Sequence, residues 1–172
     1  MTRRRVLVVA MADSIHTARW LAQFRDEDID VELFPSTPHR RVHPEILMLE
    51  KSDGPLRVRL TPGLRYLSVL VSIGDLLFAG RVRRTWYRYR ARELRPDVIH
   101  AMETQHAGYL LETRSDRAST PRVVLSVWGS DFVVFGRNAR HRPRITALLG
   151  VVDRLVVECS RDEEFARSHG YA

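Results

Sequence analysis

Short apolar runs alternate along the chain with segments of helical periodicity, and this alternation most constrains the fold. The first run, RVLVVAM at 5–11, is almost continuously apolar, as expected for a strand covered on both faces. Further strands are predicted at 30–36, 56–60, 97–102, 122–128 and 154–159. Helices are predicted at 14–27, 44–50, 64–95 with a break near Gly80, 105–114, 144–152, and from a cap at Ser160 to Gly170.

Repeated strand–helix alternation predicts right-handed crossovers between parallel strands. The expected fold class is therefore α/β, with a doubly wound, mostly parallel sheet and helices on both of its faces. A chain of 172 residues is long enough for one domain with a substantial core and short for two. We expect residues 1–172 to form a single Rossmann-like domain.

The amino-acid composition is that of a globular protein. The hydrophobic share of 44% and the charged share of 28% are ordinary for a globular protein. Cys159 is the single cysteine, which excludes a disulfide framework, and its place at the end of an apolar run predicts a buried thiol.

The longest apolar segment, 66–80, is shorter than a bilayer span and contains Asp75, and no secretory signal is visible. We expect a cytoplasmic protein.

Three polar clusters follow predicted strands directly. Their candidate binding residues are Asp13, Ser14, His16 and Arg19 after the first strand, Glu103, Gln105 and His106 after the fourth, and Trp128, Gly129, Ser130 and Asp131 after the fifth. Ligands of open α/β sheets bind outside the carboxyl ends of the strands, so we expect Asp13, Glu103 and Asp131 to share one cleft. Polar groups before a helix N-terminus suit an anion or a sugar. The alternative is that Asp13 and Ser14 are only turn and cap residues.

Several common sites are excluded by their missing motifs. No glycine occurs before Gly54, so the first turn is not a dinucleotide-binding fingerprint. There is no Walker A sequence and no G-x-S-x-G elbow. The histidines lack the spacing of metal ligands, and His100, within a strand, is expected to be a core residue. We expect neither a metal nor a bound cofactor.

Five segments in this order resemble the N-terminal half of family 4 glycosyltransferases: SIHTARWLAQF, VELFPS, PDVIHAMETQHAGYL, VWGSD and VDRLVVECSRDEEFARSHG. The resemblance implies a two-domain GT-B enzyme that transfers sugar from a nucleotide-sugar co-substrate with retention of configuration. It implies that this chain is the acceptor-side domain, and that the C-terminal donor-binding domain, with its spaced glutamate pair, is absent from it. Such a domain is not expected to be active alone. The implied pathways are cell-surface polysaccharide and glycolipid synthesis.

The sequence departs from that family in two loops. Many members have a Gly-Gly pair in the first loop, where this chain has ADSIHTA. A histidine commonly precedes the Gly-x-Asp motif, and here Trp128 stands before Gly129 and Asp131. Tryptophan can stack on a sugar ring but cannot exchange a proton near neutral pH, so the histidine's role does not transfer. A core tryptophan is the alternative.

The segment 81–95 contains seven arginines together with Trp86, Tyr87 and Tyr89. A basic helix with interfacial aromatic residues can rest on an anionic leaflet, which suits a lipid-linked acceptor and a peripheral position on the inner face of the membrane. The alternative is an ordinary amphipathic helix whose aromatic residues pack on the sheet. No known nucleic-acid-binding module accompanies these residues, so a nucleic-acid partner is not expected.

A second function from another class stays open. The same α/β pattern is compatible with a stand-alone binding or regulatory module of flavodoxin-like fold that has no transferase activity.

Overall fold

The apolar run at the start of the chain forms β1, whose last four residues are completely buried. The computed structural model describes residues 3–37, 41–63, 67–111, 121–129 and 131–171. The chain divides into two compact units, Met1–Asp97 and Val98–Ala172, called unit 1 and unit 2 below.

In the described part of unit 1 there are three parallel strands and four helices. β1 pairs with β2 along its whole length, and residues 30–33 of β2 pair with β3. The elements are β1 (Arg4–Ala10), α1 (Ile15–Ala22), β2 (Ile29–Pro35), α2 (Pro44–Glu50), β3 (Arg57–Leu60), α3 (Ser68–Leu77) and α4 (Arg81–Leu94).

The strands described in unit 2 are also parallel and alternate with helical segments. β4 pairs in parallel with β5 along its whole length, and residues 124–126 of β5 pair in parallel with β6. Two π-helical turns, Thr104–Gly108 and Asp131–Phe135, follow the first two of these strands. The other elements are β4 (Val98–Met102), α5 (Tyr109–Leu111), β5 (Arg122–Ser126), α6 (Arg142–Leu149), β6 (Arg154–Val156) and α7 (Ser160–Ser168).

The predicted fold class is confirmed: the chain has a doubly wound α/β fold of Rossmann-like type, with parallel strands linked by helices. The helical spacing of apolar residues explains how the helices pack. In α6, for example, Ile145, Leu148 and Leu149 lie on one face and are completely buried.

Local signals placed several element ends correctly. The Ser14 hydroxyl caps α1 by accepting a hydrogen bond from His16 N at 3.2 Å, and α2 has the predicted bounds. The predicted helical stretch breaks at Gly80, and Gly170 follows α7 with a φ of +94°.

Other expectations were wrong. α1 ends at Ala22, whereas the prediction extended it to residue 27. The helix predicted at 105–114 opens instead with a π-helical turn, and its residues 112–114 lie outside the described residues. The turn that begins at Asp131 was not predicted. Cys159, not Ser160, occupies the cap position of α7. Cys159 is also exposed rather than buried, because β6 ends at Val156 and the thiol lies in the loop beyond it.

One buried ion pair fixes α4 against the unit 1 sheet. Glu32 on β2 is 7% exposed and accepts hydrogen bonds from Arg90 Nη2 at 2.6 Å and Nε at 2.9 Å. The Thr61 hydroxyl donates to the same carboxylate at 2.8 Å. Hydrogen bonding to Glu32 raises the pKa of Arg90, so the guanidinium stays charged. Beside this pair, Tyr87 is buried and packs edge-on against Phe34, with ring centroids 5.7 Å apart.

For the basic segment 81–95, the alternative of an amphipathic helix whose aromatic residues pack on the sheet holds in part. Tyr87 packs on the sheet, whereas Tyr89 is 61% exposed.

We predict that Arg90→Met lowers the free energy of unfolding by about 3 kcal/mol, because it leaves the Glu32 carboxylate buried without its cation. Arg92→Met, at an exposed position of the same helix, should change it by less than about 0.5 kcal/mol. Urea unfolding followed by circular dichroism measures both. The double variant Glu32→Met/Arg90→Met should recover much of the loss; equal stability of the Arg90 and Arg92 variants would contradict this role.

Candidate functional site

The carboxyl ends of β4, β5 and β6 lie at one edge of the unit 2 sheet, because these strands are parallel. The loops that leave this edge are joined by side-chain hydrogen bonds. We call the residues at this edge the strand-end cluster; its members are Glu103, Thr104, Gln105, Trp128, Gly129, Asp131 and Glu158.

Asp131 connects the loops after β4 and β5. It is 4% exposed, and its Oδ2 atom accepts hydrogen bonds from Thr104 N at 2.9 Å, Thr104 Oγ1 at 3.0 Å and Trp128 N at 3.3 Å. Its own backbone N–H donates to Trp128 O at 2.7 Å. Since Thr104 N–H is a terminal donor of the π-helical turn, the carboxylate satisfies a group that has no partner within that turn. Asp131 thereby orients both loops.

Gly129 connects the loop after β5 to the loop after β6. Its N–H donates to Glu158 Oε2 at 2.9 Å, and its carbonyl accepts from Arg161 Nη2 at 3.4 Å. A Cβ atom at this position would lie 3.1 Å from the Glu158 carboxylate, so glycine permits this close approach. Sequence reasoning missed Thr104, Glu158 and Arg161. The strand-end rule selects Glu158 only once β6 is known to end at Val156, because the predicted strand 154–159 contained this residue.

Glu103 has a strained backbone. Its φ of 143° and ψ of 158° fall in a region that is essentially restricted to glycine. The residue is 7% exposed, and its carbonyl accepts a hydrogen bond from Gly108 N at 2.9 Å. Such strain costs on the order of 1 to 3 kcal/mol and is found preferentially at binding and catalytic sites. The backbone conformation therefore marks Glu103 as a functional candidate independently of its position after a strand.

The other candidates in unit 2 differ in accessibility. Gln105 is half-buried, and its Nε2 atom is buried with no hydrogen-bond partner in the described part of the chain. An unsatisfied buried donor is uncommon and calls for an explanation such as a ligand or a water molecule. His106 is exposed and Trp128 is half-buried. Ser130 lies outside the described residues.

The first predicted cluster lies in unit 1. Ser14 is committed to capping α1, whereas Asp13, His16 and Arg19 are exposed. The loop is fixed by a hydrogen bond from His43 N to Ala12 O at 2.8 Å. The common cleft predicted for Asp13, Glu103 and Asp131 joins residues of different units, and it stays a prediction.

His100 is a core residue of β4, as expected. It is 5% exposed, and its Nε2 atom lies 2.7 Å from Ser126 Oγ on β5. Burial lowers the pKa of His100 to about 4, so the imidazole is neutral at physiological pH. It stabilises the pairing of the two strands that lead to the cluster.

No group of three or more His, Cys, Asp or Glu side chains within the described ranges is arranged to hold a metal ion. Among the helices that the structure describes, none has both the length and the hydropathy needed to cross a bilayer.

Residues 87–158 match the family model described as glycosyl transferase 4-like. The matched range is less than half of the 172-residue chain and contains every member of the strand-end cluster. It confirms the resemblance to family 4 glycosyltransferases over this range and supports a glycosyltransferase-type function. No curated protein matches the chain at a significant level.

We predict that acid destabilises the protein partly through His100. Between pH 6.5 and about pH 4 the unfolded chain binds a proton at this histidine and the folded chain does not, so stability falls as the pH falls through this window. The full effect is about 3 kcal/mol at 1.36 kcal/mol per pH unit.

His100→Gln should keep a hydrogen bond to Ser126 and lose this part of the pH dependence. Urea unfolding at pH 7 and pH 4.5 measures the difference, with His106→Gln, at an exposed position, as the control. Identical pH dependence in the native protein and the His100 variant would contradict the assignment.

Proposed function

We propose that this chain is the acceptor-binding side of a retaining glycosyltransferase that uses a nucleotide-sugar donor. The acceptor is a sugar or a lipid-linked sugar of cell-surface polysaccharide or glycolipid synthesis, and it binds at the strand-end cluster on the cytoplasmic side of the membrane. The single observation that carries the proposal is the strained, nearly buried Glu103 within the range that matches the family.

The chemistry of the cluster suits sugar hydroxyl groups. A hydroxyl donates one hydrogen bond and accepts others, so a binding site needs both kinds of partner. The Glu103 carboxyl group can accept from one hydroxyl, and the Gln105 amide, whose Nε2 lacks a protein partner among the described residues, can donate to another. Trp128, which is half-buried, offers a ring face for the apolar side of a sugar.

The hydrogen bonds around Asp131 give this site rigidity. In the proposed enzyme Asp131 is a positioning residue, because Oδ2 is occupied by three protein donors. It fixes Thr104, and with it the neighbouring Glu103 and Gln105, before any ligand arrives. Groups that are already in place lose little conformational entropy on binding, which raises affinity and selectivity.

Transfer itself requires a nucleotide-sugar donor and, on this proposal, a C-terminal donor-binding domain. Asp13, His16 and Arg19 are the unit 1 candidates for contacts to donor or acceptor. His16 would provide a hydrogen bond to a phosphate oxygen, and Arg19 would provide hydrogen bonds and positive charge. No metal is part of the proposal.

We predict that the chain binds simple glycosides in the millimolar range or tighter, with a preference for one sugar among methyl glucoside, galactoside, mannoside and N-acetylglucosaminide. Saturation-transfer NMR measures this in the absence of membranes. Glu103→Gln should weaken binding of the preferred glycoside by about tenfold or more, because an amide is a poorer acceptor than a carboxylate. Glu164→Gln, at an exposed position of α7, should leave it unchanged.

Two further variants separate binding from folding. Glu103→Ala and Glu103→Gly both remove the carboxyl group and should both lose glycoside binding. The glycine variant should be the more stable of the two, because only glycine relieves the backbone strain. Failure of every glycoside to bind, or equal binding by Glu103→Gln and the native chain, would contradict the proposal.

A further inference from the structure

α3 exposes its apolar face. Its outward residues recur at the spacing of a single helix face, and their exposed fractions are far above those of core residues. They are Val69 at 41%, Leu70 at 66%, Ile73 at 50%, Leu76 at 86% and Leu77 at 71%, called the α3 apolar face below. An exposed apolar patch of contiguous large side chains marks an interaction surface.

The opposite face of α3 is fixed against α4, so the helix cannot rotate to bury the α3 apolar face. Val71 is 3% exposed, and a Cβ atom on Gly74 would lie 2.9 Å from Val82 of α4. Asp75 pairs with Arg83 at 2.8 Å, and both side chains are largely buried. Arg83 Nη1 in turn donates to Ser36 O, beyond the end of β2, at 2.6 Å. The outward orientation is therefore built into unit 1.

Aromatic and basic side chains border the α3 apolar face. Phe78, at the corner between the two helices, is 58% exposed. It lines an apolar groove of about 620 Å³ with Arg81, Val82, Thr85, Trp86 and Tyr89 of α4. Exposed arginines continue along α4 at the spacing of one helical row, at positions 81, 88 and 92.

The surface thus changes from aliphatic to aromatic to cationic side chains across two adjacent helices. A bilayer interface has the matching order, with acyl chains below, the headgroup boundary where Trp and Tyr concentrate, and anionic phosphates outside. A second copy of the chain is a poorer match, because a two-fold contact through α3 would bring the arginines of both copies near the same interface.

We propose that unit 1 docks on an anionic membrane by inserting the α3 apolar face into the boundary between headgroups and acyl chains, while the α4 arginines contact lipid phosphates. This goes beyond the proposed glycosyl transfer and beyond the expectation from sequence, which assigned membrane contact to the basic segment 81–95 alone. α3 has ten residues, so it lies in the interface and does not span it.

Sedimentation with vesicles tests the proposal on the full chain. The vesicles are phosphatidylcholine alone, and phosphatidylcholine with an equimolar share of phosphatidylglycerol, each at low and high salt. The native chain should bind the anionic vesicles at least about tenfold more tightly than the neutral ones, and salt should weaken that preference.

Matched variants separate the two contributions. Leu70→Glu/Leu76→Glu changes only exposed side chains and should lower binding to anionic vesicles by about tenfold or more, because it places charge in the acyl boundary. Arg88→Gln/Arg92→Gln should reduce the preference for anionic vesicles and its salt sensitivity. Met48→Glu alters an apolar side chain of α2 that is 70% exposed and should bind like the native chain.

Three outcomes would overturn the proposal. The first is that the native chain does not bind anionic vesicles, and the second is that Leu70→Glu/Leu76→Glu binds them like the native chain. The third is that the native chain binds no vesicles and forms a dimer, whereas Leu70→Glu/Leu76→Glu is a monomer. The last would assign the α3 apolar face to a second copy. Glycoside binding is measured without membranes, so failure of this proposal and failure of the proposed function are distinguishable.

Discussion

The hydrogen bonds accepted by Asp131 are the interaction on which the organisation of unit 2 depends. A single carboxylate oxygen satisfies backbone donors of two loops that leave adjacent strands, at the edge where the sheet presents its carboxyl ends. If this oxygen were missing, Thr104 N–H would be a buried donor without its acceptor, which costs on the order of 1 to 3 kcal/mol. The strained conformation of Glu103, one residue before Thr104, persists because the surrounding contacts fix the chain on both sides.

The strand-end cluster has features that are unusual in a folded protein. The backbone of Glu103 is strained, and the Nε2 atom of Gln105 is buried without a partner among the described residues. Both residues lie in the range that matches the glycosyltransferase family model. The α3 apolar face has the same character, since it exposes side chains that would stabilise the protein if they were buried. On the two proposals made above, these features mark the surfaces where a ligand and a membrane bind.

Most of the fold could be predicted because its signals are local and periodic. The continuous apolar run of β1, the cap at Ser14 and the break at Gly80 each have a physical cause that is readable in a few residues. For the candidate site, the sequence indicates the loops at the strand ends, since the strand-end rule selects positions such as Glu103 and Asp131. The rule does not distinguish a side chain that joins neighbouring loops from one that could contact a ligand, so it treated Asp131, which joins two loops, like Glu103.

The expectations that failed depend on tertiary contacts. No local sequence pattern predicts a π-helical turn after a strand. Nor does one predict that β6 ends at Val156, so that Cys159 lies beyond the strand. The sequence of α3 is equally compatible with a buried and an exposed helix. Only the contacts of Gly74 and Asp75 with α4 decide which face is turned outward.

The most direct test of the central claim is amide hydrogen exchange at Thr104 in the native chain and in Asp131→Ala. If the Asp131 carboxylate holds the two loops together, Thr104 N–H should exchange at least about tenfold faster in the variant, while Val8 N–H in β1 keeps its protection. Unchanged protection of Thr104 in a folded Asp131→Ala protein would contradict the account.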